Sequence, residues 1–119
     1  MNVRDVLIEA LEPLKTEGYE VSLQGSYGEN EPLPESFITY FIVDSNDRSF
    51  YDDSPKLSDY RIQIVFYSKK VELIKTIPDL IYQHLKAAGF VRTGKGRDIS
   101  YNVEHYAWQI DYLFTERNE

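Results

Sequence analysis

Residues 59–67 read Asp59-Tyr60-Arg61-Ile62-Gln63-Ile64-Val65-Phe66-Tyr67, and Ser68-Lys69-Lys70 leads on to a longer run that closes with Ala87-Ala88-Gly89. The first part alternates: Tyr60, Ile62, Ile64 and Phe66 fall on one face, Arg61, Gln63, Val65 and Tyr67 on the other. A period of two is that of a strand. After Lys70 the period changes. Val71, Ile74, Ile77, Ile81, Leu85 and Ala88 recur at three- and four-residue steps, the spacing of one helix face. A strand feeding a helix is therefore the unit on which the other segments must pack. Pro78 interrupts the helical run; it cannot donate to residue 74, which predicts a kink or a restart near Thr76. Gly89 stands where a helix ends in a left-handed residue.

Working outward, residues 4–16 form a first amphipathic helix, with Val3, Val6, Leu7, Ala10, Leu11 and Leu14 as its apolar stripe. Gly18 closes it. Residues 19–25 alternate as a first strand. Residues 26–35 hold one glycine, two prolines and three glutamates and read as a loop. Residues 36–44 form a second strand. Phe37, Thr39, Phe41 and Val43 share one face and Ile38, Tyr40 and Ile42 the other, so both faces are apolar, as in a central or covered strand. Residues 45–58 are polar and turn-rich and read as a long loop. Short strand pieces at 90–93 and 99–103 flank the turn Gly94-Lys95-Gly96. The last strand, 106–115, lines up Tyr106, Trp108, Ile110, Tyr112 and Phe114. The expected order is α-β-β-β-α-β-β: an α+β domain with a mostly antiparallel sheet of about five strands and two helices on one face. The connection through the second helix is either a crossover or a same-edge return.

A length of 119 residues supports one domain over 1–119. With 42% hydrophobic and 28% charged residues, the composition is that of a globular protein. No apolar run reaches membrane-span length, and residues 1–5 lack the apolar region of a signal peptide. A product that stays in the cytoplasm when made is the expectation. There is no cysteine, which removes thiolate chemistry and cysteine zinc sites. The net charge of −7 argues against gripping nucleic acid. It is unevenly spread: residues 1–59 hold 13 acidic and 4 basic side chains, residues 60–119 hold 7 and 9. That asymmetry suits a head-to-tail contact between copies.

Few residues are arranged for catalysis. His84 and His105 are the only histidines and lie on different elements; no ligand spacing for a metal accompanies them. No Gly-x-Ser-x-Gly is present. Asp52-Asp53 reads as a solvated turn before it reads as an acid–base pair. Gly94-Lys95-Gly96-Arg97 lacks the spacing of a phosphate-cradling loop and reads as a hairpin tip, with Arg92, Lys95 and Arg97 as a small basic cluster. The reading is no enzyme, no cofactor and no metal.

Several stretches together resemble the tail-terminator family of long-tailed phages and prophages, the proteins of tail completion and head-to-tail joining. They are the N-terminal amphipathic helix, Phe37-Ile38-Thr39-Tyr40-Phe41 after a proline-rich loop, the acidic Tyr51-Asp52-Asp53, residues 60–69, Leu85-Lys86-Ala87-Ala88-Gly89-Phe90, and the tyrosine-rich last strand. The family's proline immediately before the second strand is displaced here to Pro34. The resemblance implies a structural virion protein, first in the host cytoplasm during assembly and then in the tail. Its copies form a ring, typically a hexamer, that caps the tail tube and contacts the tube protein and the head connector. DNA passes through the lumen without specific binding, and no membrane is involved. On that expectation Asp47, Asp52 and Asp53 are the lumen candidates, and Tyr40, Ile42, Phe50, Tyr51 and Tyr67 are candidates for subunit contacts. The alternative from charge and tyrosine content is a small acidic protein-binding module of the inhibitor or immunity type.

Overall fold

The computed structural model describes residues 3–24, 34–48, 57–100 and 105–117. The elements are α1 (Val3–Thr16), β1 (Glu20–Leu23), β2 (Ser36–Arg48), β3 (Leu57–Ser68), α2 (Val71–Ala87), β4 (Val91–Arg92), β5 (Arg97–Asp98) and β6 (Tyr106–Arg117). This is an α+β fold with the expected order, β5 being a two-residue addition. The strands form one six-stranded sheet in the order β1-β2-β3-β6-β4, with β5 also paired to β6. Only β1–β2 is parallel; the other pairings are antiparallel.

The strand–helix unit forms as its periodicity requires. Ile62, Ile64 and Phe66 are buried on the face where Ile77, Ile81 and Leu85 of α2 settle. Leu7, Leu11 and Leu14 of α1 complete the same core, with Ile38 and Tyr40 of β2 and Ile110 and Tyr112 of β6. Ten of these side chains are fully buried and, at roughly 2 kcal/mol each, are the main stabilising term. Both helices stop on glycine. Gly89 has φ +99°, and Phe90 N–H reaches back to the Leu85 carbonyl at 2.9 Å, closing the last turn of α2.

Three expectations are corrected. α2 runs unbroken from Val71 to Ala87 with Pro78 buried inside it, so there is no restart at Thr76; Pro78 lines the space beside Ile74 and Trp108 and lacks the N–H that would reach residue 74. The polar stretch 45–58 is not one long loop. β2 continues to Arg48 and β3 begins at Leu57, with Ser45↔Tyr60 through Arg48↔Leu57 in register after a bulge between Ile42 and Asp44. Here β3 also pairs with β6 on its other side, from Leu57↔Arg117 to Tyr60↔Phe114, so backbone pairing on both sides of β3 carries the polar stretch. The strand piece expected at 99–103 is not found at Ile99 and Ser100, its residues 101–103 lie outside the described residues, and β5 forms at Arg97–Asp98.

The structure also decides the connection through α2. β3 and β4 are both antiparallel to β6, which lies between them. The chain therefore leaves β3, crosses the helix face as α2, and returns one strand further on as β4. A crossover of this kind leaves a space between the helix and the returning β4–β5 segment, and it places both helices on the same face of the sheet.

Candidate functional site

Alternation along the three long strands gives the sheet two unlike faces. On the face without α1 and α2, successive rows run Phe37–Tyr67–Ala107, Thr39–Val65–Gln109, and Phe41–Gln63–Asp111. Arg61 and Leu113 pair in the next row, with Val91 of β4 beside Leu113. One half of this face is closed: Phe37, Thr39, Val65, Ala107 and Gln109 are buried. Phe37 stacks on Tyr67 at 4.6 Å. The buried His105 ring stands edge-on to Phe37, and its Nε2 is 3.0 Å from the Pro34 carbonyl, to which it donates. The other half is open. Phe41, Val43, Leu113 and Val91 are 45, 47, 38 and 62% exposed, around the polar side chains of Arg61, Gln63 and Asp111. More than half of the large apolar side chains that face water among the described residues are thus gathered on one patch, an arrangement that marks contact surfaces.

The residues expected at subunit contacts separate here. Tyr40 is buried on the helix face, and its hydroxyl accepts a hydrogen bond from Arg4 Nε at 3.2 Å. It belongs to the chain's own core and is not an exposed contact position. Ile42 is half-buried against the same core. Tyr67 is half-buried on the helix-free face. Asp47 lies in β2, opposite Ser58, rather than in a loop. Phe50, Tyr51, Asp52 and Asp53 fall outside the described residues.

A second feature was not legible from spacing. The space between α2 and the β4–β5 segment is a half-open groove of about 410 Å³. Val71, Ile74 and Pro78 form one wall, and Trp108 and Ile110 form the floor. Lys75, Arg92 and Lys95 stand over it together with Asp79 and Asp98. Gly96 follows Lys95 at the tip beside the groove. Its φ is +89°, and a Cβ there would lie 2.8 Å from the Gln109 carbonyl oxygen, in addition to striking the Trp108 indole. The indole N–H donates to the Lys95 carbonyl at 3.3 Å. The tip is thereby held on Trp108 by close backbone approach. The Asp98 carboxyl is held below its usual pKa by the Ser100 hydroxyl and the Ser100 backbone N–H, the latter at 2.7 Å. The Arg92 guanidinium lies over the Tyr82 ring, 3.9 Å from its centre. Lys75 and Lys95 form no ion pair among the described residues. The sequence signal for this groove was the glycine pair around Lys95 just before a strand bearing the only tryptophan.

Neither histidine stands in a catalytic arrangement. His84 lies half-buried on α2 beside Glu9 and Pro13 of α1, and His105 lies on the opposite face of the sheet. Among the described residues no group of three or more His, Cys, Asp or Glu side chains is placed to hold a metal ion, and no helix is long and apolar enough to cross a membrane. Among the described residues three buried polar side-chain atoms have no hydrogen-bond partner: Thr39 Oγ1, His105 Nδ1 and Tyr112 Oη. Burial raises the pKa of Tyr112 far above its ordinary 10.0; Arg92 opposes the shift, and Tyr82 and Asp79 add to it. No family model matches the sequence, and no curated protein matches it.

Proposed function

We propose that the chain is a non-catalytic structural subunit of a phage or prophage tail, one that assembles with copies of itself into a ring capping the tail tube and joining it to the head connector. The observation that carries this reading is the open half of the helix-free face. Phe41, Val43, Leu113 and Val91 face water on a sheet whose other face packs against α1 and α2. A sheet built in this way offers a preformed surface to a flat partner and needs no ordering to bind it. The sequence stretches that resemble tail terminators support the same reading. Apart from Tyr51-Asp52-Asp53, which lies outside the described residues, they fall on the elements that build this platform, from Phe37–Phe41 in β2 to the Leu85–Phe90 exit of α2. The net charge of −7 suits a ring through which DNA slides, because a negative wall repels phosphate.

The test is genetic and visual. Deleting the gene from the phage or prophage that carries it should leave tails of irregular length without attached heads in electron micrographs. Tails of normal length bearing heads would contradict the proposal.

A further inference from the structure

We propose that the open half of the helix-free face packs on the same face of a second copy of the chain about a two-fold axis, with Arg61 of each copy set on Asp111 of the other. The proposal rests on the self-association read above and names one of its contacts. Two observations select a second copy as the occupant.

The first is where the apolar side chains lie. Phe41 of β2 and Gln63 of β3 share one row with Asp111 of β6; Arg61 of β3, Leu113 of β6 and Val91 of β4 share the next. Adjacent strands stand about 4.8 Å apart, and successive rows of one face about 6.6 Å. On that grid Phe41, Gln63, Leu113 and Val91 fall within about 2 Å of one diagonal line. Arg61 lies on one side of the line and Asp111 on the other, at equal distances. Turning a second copy over about this line lays each of the four side chains on its own counterpart, which is the requirement of a two-fold contact. The strands of the two copies then cross steeply, as in the orthogonal class of sheet packing.

The second is charge. Arg61 is exposed and forms neither a hydrogen bond nor an ion pair among the described residues. Among them Asp111 also lacks an ion pair, and its carboxylate accepts one long bond, from Gln109 Nε2 at 3.4 Å. The same turn sets each of these two groups on the other. The cations beside Asp111 obey it as well. Lys95 and Arg97 line the space next to Asp111, and on the grid they come over Asp59 of the second copy, one row beyond Arg61 on β3. The Asp59 carboxylate is held in place by Thr115 Oγ1 at 2.7 Å. Each of these charges therefore meets its opposite across the axis, and the face is its own complement. A two-fold contact does not propagate. It sets pairs, and a ring assembled from them uses a further surface of each pair.

The experiment is sedimentation equilibrium on the full chain. Arg61→Asp alone and Asp111→Arg alone each place like charges at both ends of the contact, so each should weaken pairing roughly tenfold or more. Mixed in equal amounts, the two variants should recover pairing as a one-to-one mixed pair, because opposite charges again face each other at both ends. A second measurement changes no charge. The chain has no cysteine, so Leu113→Cys, beside the axis, should be joined copy to copy by a short bismaleimide. Val71→Cys, exposed on α2 and away from this face, should not. Single charge variants that pair as the wild type does, a mixture of folded variants that recovers nothing, or a Leu113→Cys chain that is not joined would each overturn the contact. If either charge variant is unfolded by circular dichroism, the cross-link decides. Self-association that ignores the charge variants yet is lost in Phe41→Ser, Leu113→Ser removes the two-fold contact and leaves the self-assembly reading standing. A mixed pair that forms while deletion of the gene leaves headed tails of normal length removes the tail-cap reading and leaves the contact.

Discussion

The two faces of one sheet are built from strands of similar apolar content, yet they carry different duties. On the helix side Ile38, Ile62, Ile64, Phe66, Ile110 and Tyr112 are closed off by α1 and α2. On the other side burial stops midway. Phe37, Val65 and Ala107 are enclosed, and in the next two rows Phe41 and Leu113 meet water. The helix face holds the fold, and the open half-face is where stability can be spared for contacts. Substitutions on the two should therefore separate stability from assembly.

The largest effect is expected in the helix-side core. Leu11→Ala removes a fully buried side chain and should lower unfolding free energy by about 3 kcal/mol in denaturant melts. Gly96→Ala comes next. The Cβ meets the Gln109 carbonyl oxygen and the Trp108 indole in a backbone that disfavours side chains, so a loss of about 2 kcal/mol with altered Trp108 emission is predicted. Gly94→Ala, with nothing within 4 Å of its Cβ, is the control and should change little.

Tyr112→Phe should have a small effect with an informative sign. The hydroxyl is buried without a partner, so its removal should be neutral or stabilising by up to about 1 kcal/mol. The pH dependence follows from the raised pKa. The unfolded tyrosine ionises near its ordinary 10.0 while the folded one stays protonated. This residue's contribution is therefore intact below about pH 10 and lost as pH rises toward the folded value. Denaturant titrations of wild type should show stability falling in that alkaline range, and Tyr112→Phe should fall less steeply. The smallest stability effect belongs to the open half-face. Phe41→Ser with Leu113→Ser should move unfolding free energy by no more than about 0.5 kcal/mol, while lowering self-association in gel filtration.

Periodicity carried the fold because the core depends on it. The stripe Val71, Ile74, Ile77, Ile81 and Leu85 became α2, and Gly18 and Gly89 became its stops and those of α1. It could not decide Tyr40. Both faces of β2 are apolar, so alternation separates Tyr40 from Phe41 without telling which of them the helices will cover. It misread 45–58 because a polar strand and a polar loop can have the same composition; only the partner strand's register, Arg48↔Leu57, distinguishes them. The groove was out of reach for another reason. Lys75, Lys95 and Trp108 come from three elements, and the crossover past β6 brings them together.

Sedimentation velocity of the wild-type chain across a wide concentration range, beside the Phe41→Ser, Leu113→Ser variant, tests the central claim most directly. The account predicts a discrete oligomer of several copies for the wild type, growing in population with concentration, and a shift toward monomer in the equally stable variant. A folded wild-type chain that stays monomeric throughout, or a variant that assembles as well as the wild type, would contradict it.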